Sequence, residues 1–80
     1  MDKLLFYTRP GCGLCVEAKD VLLLIEEDFD LTVEEINIDE QDQLTEKYGL
    51  MIPVVEYRGE IVQFGNIDYF SLSKRLQARG

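Results

Sequence analysis

The residues best suited to chemistry are Cys12 and Cys15, the only two cysteines in the 80-residue chain. Their spacing would place both sulfurs on one side of the first turn of a helix, close enough to form a disulfide. Thiol–disulfide exchange uses such a pair, because one thiolate attacks a substrate disulfide and the second cysteine then resolves the mixed disulfide. We therefore predict that Cys12 is the nucleophile and Cys15 the resolving cysteine.

Cys12 needs a group that stabilises its thiolate, because the thiolate and not the thiol is the nucleophile. The chain contains no histidine, which excludes a Cys–His pair, a Ser–His–Asp triad and histidine metal ligands. The unpaired N–H groups at a helix N-terminus favour an anion, and they lower a cysteine pKa from about 8.5 to roughly 3.5–7.5. Arg9 is a second candidate for stabilising the thiolate. Pro10 and Gly11 allow a sharp turn without a bulky side chain over the sulfur.

The flanking sequence predicts a strand before the cysteines and a helix after them. The run K-L-L-F-Y-T at residues 3–8 is apolar and aromatic and stops at a Pro-Gly pair, which is typical of a buried strand. From about Gly13 to Asp28 the apolar residues recur at spacings of three and four, the period of a helix. They are Leu14, Ala18, Val21, Leu22 and Ile25.

The remaining elements complete a β-α-β-α-β-β-α order. We predict a strand over Leu31–Ile38 that is covered on both faces, and a short helix capped by Asp39 that ends at Gly49. A hairpin pairs residues 54–57 with 61–64 about Arg58-Gly59, and Asn66 caps a last helix. A βαβ start implies parallel strands. The prediction is an α/β fold with helices on a mixed four-stranded sheet, in a single domain over residues 1–80.

The charge distribution argues against nucleic acid as a partner. The formal net charge is −8, and the segment from Glu26 to Glu46 contains ten acids and no base. Phosphate binding needs basic patches. We predict that this acidic segment is a solvated face; a docking surface for a basic partner is the alternative.

The sequence also predicts a cytoplasmic protein with no membrane partner. No apolar run approaches the roughly 20 residues that span a bilayer, and the apolar stretch after Met1 is too short for a signal peptide. In a reducing compartment, cysteines this close together are more often reactive or metal-binding than structural. We expect a monomer.

Metal binding is the main alternative to redox chemistry. Structural zinc usually takes four Cys or His ligands, and this chain offers two. Zinc or an iron–sulfur cluster would need a dimer or outside thiols. A binding module that carries a metal or a cluster across a dimer, or that docks a protein partner, therefore stays open as a second hypothesis. For a single chain we predict no metal site and no bound cofactor.

The chain contains L-F-Y-T-R-P-G-C-G-L-C at residues 5–15 and Y-G-L-M-I-P-V-V at residues 48–55, followed by Gly59, Gly65 and Asp68. Through these motifs nearly the whole chain resembles the glutaredoxins and their glutaredoxin-like relatives in the thioredoxin superfamily. Typical glutaredoxins place proline and aromatic residues between the cysteines, where this chain has Gly13-Leu14. The resemblance implies a thioredoxin-like fold and a thiol–disulfide oxidoreductase that reduces protein disulfides or glutathione mixed disulfides.

The resemblance also implies a substrate-binding set: Ile52, Pro53, Gly65, Asn66 and Asp68. The Ile52–Pro53 bond would be cis, which leaves the Ile52 backbone free to pair with a substrate peptide or with glutathione. Asn66 and Asp68 could equally be helix caps. Glutathione is a possible co-substrate. Disulfide-containing proteins and a thioredoxin-type reductase are the other expected partners.

Overall fold

The computed structural model of the chain describes the backbone of residues 3–79 and the side chains of residues 3–77. Four strands and three α-helices follow in the predicted order. They are β1 (Lys3–Thr8), α1 (Gly13–Phe29), β2 (Thr32–Asn37), a 3-10 turn (Ile38–Glu40), α2 (Asp42–Tyr48), β3 (Val54–Tyr57), β4 (Glu60–Phe64) and α3 (Tyr69–Arg79).

The strands form one mixed sheet in the order β2-β1-β3-β4. β1 and β2 are parallel, whereas β3 is antiparallel to β1 and β4 is antiparallel to β3. The ends of β1 and β2, the start of β3 and the end of β4 therefore lie at the same end of the sheet. The strand residues at this end are Thr8, Asn37, Val54 and Phe64, and the chain continues from Thr8 to the two cysteines.

Side chains of β1 are buried on both faces of the sheet. Leu4 and Phe6 belong to the larger core, which also contains Leu22 and Ile25 of α1 and Leu72 of α3. A smaller core on the other face unites Tyr7, Ile38, Tyr48 and Val54. Because α1 and α3 cover one face and α2 the other, β1 is packed on both faces. This packing fixes the position of the turn that connects β1 to Cys12.

Helix α1 buries Ala18, Leu22 and Ile25 of the predicted apolar repeat, and Val21 is half-buried. Leu14 is the exception, because it is 49% exposed. Cys15 is buried beside the other three residues and completes the inward stripe. The resolving cysteine is therefore part of the hydrophobic core.

Three further expectations need correction. β2 is an edge strand with exposed Glu34 and Glu35, so it is not covered on both faces. Asp39 does not cap α2, because it lies within the 3-10 turn and Gln41 is the cap residue, whose carbonyl accepts the N–H groups of Leu44 and Thr45. Asn66 does not cap α3; the Asp68 carboxylate accepts the N–H of Ser71 at 2.8 Å.

Two turn residues were placed correctly. Arg58 and Gly59 both have positive φ, 53° and 82°, as a two-residue hairpin turn requires. Gly49 follows α2 for a steric reason, because a Cβ at this position would clash with the Thr45 carbonyl oxygen.

None of the helices in the described part of the chain has the length and apolar character of a membrane span.

Candidate active site

Cys12 is the residue that caps helix α1. Its backbone is extended, with φ −90° and ψ 109°, and its Sγ accepts the N–H of Cys15 at 3.1 Å. The carbonyl of Cys12 also accepts the N–H of Val16 at 3.3 Å. A sulfur in this position receives one of the amide hydrogens that the helix leaves unpaired.

The two cysteines are joined by a disulfide and differ in exposure. Their Cα atoms are 5.2 Å apart. Cys15 is only 4% exposed, within the larger core, whereas Cys12 is half-buried at its margin. Cys12 is therefore the more accessible of the two cysteines, and their roles as nucleophile and resolving cysteine stay predictions.

The turn between β1 and α1 depends on a glycine. Gly11 has φ +80°, a conformation that side-chain-bearing residues rarely adopt. Pro10 and Gly11 are both exposed. The turn thus brings Cys12 to the helix start without covering its sulfur, as the sequence predicted.

Arg9 is engaged by a carboxylate of the 3-10 turn. Its Nη2 donates to Asp39 Oδ1 at 2.7 Å. Arg9 lines the same cavity as both cysteines, so it remains placed to influence the thiolate. The ion pair with Asp39 offsets part of its positive charge, and stabilisation of Cys12 by Arg9 stays a prediction.

The Ile52–Pro53 peptide bond is cis, as the resemblance implied, and Pro53 is buried immediately before β3. The Ile52 side chain packs against the same core as Cys12. The expectation for the Ile52 backbone needs correction, however, since its N–H donates to the Tyr48 carbonyl at 3.1 Å. That N–H group is not free to pair with a substrate.

The other predicted binding residues have structural partners. Gly65, with φ +80°, donates its N–H to the carbonyls of Met51 at 3.0 Å and Pro53 at 2.9 Å. These bonds connect the end of β4 to residues 51–53, which we call the cis-proline loop. Asp68 is a helix cap, as described above, and Asn66 is exposed. The roles of these three residues in substrate binding stay predictions.

A cavity that the sequence did not predict lies beside the disulfide, between α1 and β2. Its volume is about 390 Å³, and its charged or reactive lining residues are Cys12, Cys15, Arg9, Lys19, Glu35 and Glu40. Lys19 could have been found, because it lies one helical turn after Cys15. The two glutamates could not, since their place depends on the register between β1 and β2.

A buried aromatic pair supports the cis-proline loop from the other face of the sheet. The rings of Tyr7 and Tyr48 stack with their centroids 4.3 Å apart, and Tyr7 Oη donates to Glu56 Oε1 at 2.7 Å. Both rings are buried in the smaller core. Burial, followed by the hydrogen bond to the Glu56 carboxylate, raises the pKa of Tyr7 well above its ordinary value near 10.

This shift predicts a loss of stability at alkaline pH. The folded protein holds the Tyr7 proton more tightly than the unfolded chain, so the contribution is complete below pH 10 and falls as the pH rises further. Between pH 10 and 11.5 the free energy of unfolding should fall by up to about 1.4 kcal/mol per pH unit because of this group. Urea unfolding at several pH values in this range gives the free energy of unfolding of wild type and of Tyr7→Phe. This free energy should fall less steeply with pH in the variant. The lysines titrate in both proteins and cannot cause a difference, so an equal pH dependence would contradict the prediction.

The chain is similar to proteins of one family over most of its length. A family model described as "Glutaredoxin-like domain (DUF836)" matches residues 3–77. A protein of Dictyostelium discoideum, "Glutaredoxin-like protein YDR286C homolog", is 44% identical over 55 residues, which are 61% of this chain and 51% of that protein. The match thus spans about half the length of this relative.

Solved structures give the same result for the fold. The target protein XcR50 from X. campestris superposes with a TM-score of 0.81 and 28% identity, over 94% of this chain and 96% of the other. A mutant thioredoxin from Halobacterium salinarum NRC-1 superposes with a TM-score of 0.72 and 27% identity, over 96% of this chain and 73% of the other.

Proposed function

This chain belongs to the glutaredoxin-like domain family and has a thioredoxin-like fold, and from that premise we propose that it is a thiol–disulfide oxidoreductase. Its substrates are protein disulfides or glutathione mixed disulfides, which it reduces through Cys12 and Cys15. The observation that carries the proposal is the hydrogen bond from the Cys15 N–H to Cys12 Sγ. It couples a half-buried sulfur to the N-terminus of a 17-residue helix.

In the reduced protein the same amide would stabilise the Cys12 thiolate. A hydrogen bond to the charged form of a group favours that form, and the partial positive charge of the helix N-terminus acts in the same direction. Arg9 would add to this field, reduced by its ion pair with Asp39. The Cys12 pKa should therefore lie below the ordinary cysteine value of about 8.5.

The reaction consists of two exchanges. The Cys12 thiolate attacks one sulfur of the substrate disulfide, that S–S bond breaks, and the other substrate sulfur leaves as a thiolate and takes a proton from water. Cys15 then loses its proton and attacks Cys12 Sγ in this mixed disulfide. The Cys12–Cys15 bond forms, the bond between Cys12 and the substrate sulfur breaks, and the released substrate thiolate takes up the proton that Cys15 lost. Two electrons and two protons pass to the substrate, and the protein ends in the oxidised state.

The oxidised protein must be reduced before the next cycle. Two glutathione molecules or a thioredoxin-type reductase would supply the electrons, and the proposed compartment is the cytoplasm, which maintains both donors. Cys15 is 4% exposed, so a reducing thiol should attack the disulfide at Cys12. We propose that the protein works as a monomer without a bound cofactor.

Alkylation of the reduced protein with iodoacetamide tests the activation of Cys12. The rate for Cys12 should reach half its maximum at a pH below 8.5, within the range of about 3.5–7.5 seen for such motifs. Mass spectrometry of the digested protein separates Cys12 from Cys15.

Cys15 and the unfolded chain are the internal controls. Cys15 should react slowly at every pH, because it is buried. In urea both cysteines should titrate near 8.5, since no folded helix remains to favour the anion. A folded protein whose Cys12 also titrates near 8.5 would contradict the proposal, and a coloured, metal-containing dimer would instead support the cluster-carrying alternative.

A further inference from the structure

The cavity between α1 and β2 opens directly beside the reactive disulfide. Cys12 and Cys15 form part of one wall, and Glu35 of β2 and Glu40 of the 3-10 turn line another. At about 390 Å³ it lies near the lower end of the range for ligand pockets, roughly 300–1,000 Å³. A residue next to a substrate cysteine would reach this cavity while its disulfide meets Cys12.

Both cations of this cavity already have partners. Arg9 pairs with Asp39 at 2.7 Å, and Lys19 Nζ lies 3.7 Å from Glu35 Oε1. Glu40 forms no ion pair among the described side chains. Asp39 does not itself line the cavity, so the lining carries two cations and two carboxylates. Because both cations are already paired, Glu40 is the lining carboxylate that is left without an ion pair in the described part of the chain.

The walls of the cavity also include apolar surface. Pro10 and Val16 line it beside the cysteines, and both are exposed. Lysine and arginine bury their methylene stems along apolar surface and direct their charged ends to a polar partner. A wall of this kind next to an uncompensated carboxylate fits a long basic side chain.

We propose that this cavity receives a lysine or arginine side chain that flanks the disulfide of a protein substrate, with Glu40 as its partner. The inference rests on the proposed function and narrows its substrate class to disulfides in basic segments. The chain as a whole, with a net charge of −8, attracts such segments from a distance. A glutathionyl group carries two carboxylates and one ammonium group, and its net negative charge makes it a less favourable occupant beside Glu40.

Single-turnover reactions of the reduced 80-residue chain test the proposal. Three probes are used: a disulfide-bonded peptide flanked by lysines, the same peptide flanked by glutamates, and hydroxyethyl disulfide, which is small and neutral. At about 20 mM salt the lysine peptide should react roughly tenfold faster than the glutamate peptide. This ratio should shrink several-fold at 0.5 M salt, where screening acts over only a few ångströms.

Glu40→Gln is the diagnostic variant, and Glu46→Gln is its matched control. Both remove one carboxylate from an exposed position, but only Glu40 lines the cavity. Glu40→Gln should lower the rate with the lysine peptide about three- to fivefold, as expected for one solvent-accessible ion pair, and leave hydroxyethyl disulfide unchanged. Glu46→Gln should change every rate by less than about twofold.

The probes separate the two possible failures. Equal effects of Glu40→Gln and Glu46→Gln, or no preference for the lysine peptide, would overturn the cavity proposal while leaving the oxidoreductase proposal intact. A wild-type protein that reduces hydroxyethyl disulfide no faster than a free cysteine would instead refute the proposed function.

Discussion

Replacement of Cys12 by serine should abolish disulfide reduction and leave the fold unchanged. Serine is a preferred N-cap residue, so its Oγ can accept the N–H that Cys12 Sγ accepts now. A hydroxyl is a much weaker nucleophile than a thiolate without an adjacent base, and the chain has no histidine to act as one. We expect at least about a thousandfold loss of activity in an insulin-reduction assay, with an unchanged urea-unfolding midpoint when compared with the reduced wild type.

Cys15→Ala should stop the reaction one step later. The variant keeps Cys12 but cannot resolve its mixed disulfide, so the protein should accumulate a covalent adduct with the substrate that intact-mass measurement detects. Alanine avoids placing a hydroxyl in the larger core, where Cys15 is 4% exposed. Covalent substrate adducts on Cys12→Ser, or full turnover by Cys15→Ala, would show that the roles of the two cysteines are wrongly assigned.

The sequence predicted the central part of the site well because its signals are local. The strand over residues 3–8, the turn at Pro10-Gly11 and the helix that begins at Gly13 lie within one continuous segment. Each is specified by neighbours a few residues apart, and the cysteine that precedes the helix is placed by them. The predicted bounds of β1 and β3 agree with the structure for the same reason.

The surroundings of the site depend on long-range pairing, and there the prediction was incomplete. Phe6 lies opposite Glu35 only because β1 and β2 pair in one register, and that register places Glu35 at the cavity. The Arg9–Asp39 ion pair joins residues 30 apart in sequence. Leu14 shows a subtler limit, since it continues the apolar repeat of α1 in the sequence and is nevertheless 49% exposed at the first turn of the helix.

Phe6→Ala should destabilise the protein more than any surface substitution. Phe6 is 1% exposed and lies in the larger core beneath α1. Truncation of a buried phenylalanine costs about 3–5 kcal/mol, from lost burial and from the cavity that remains. A domain of 80 residues has a free energy of unfolding of only about 4–12 kcal/mol. Urea unfolding of the oxidised protein, followed by circular dichroism, should therefore show a much lower midpoint or a largely unfolded variant.

Phe70→Ala is the matched control, because it makes the same chemical change at a side chain that is 64% exposed. It removes the contact of Lys74 Nζ with the ring, at 4.6 Å from the centroid, which is worth about 0.5–1 kcal/mol at an exposed site. Alanine's higher helix propensity offsets part of that loss. The control should therefore lose less than about 1 kcal/mol. Equal losses of unfolding free energy in the two variants would show that Phe6 is not packed as described. The claim that a tightly packed β1 holds the turn before Cys12 in place would then also be wrong.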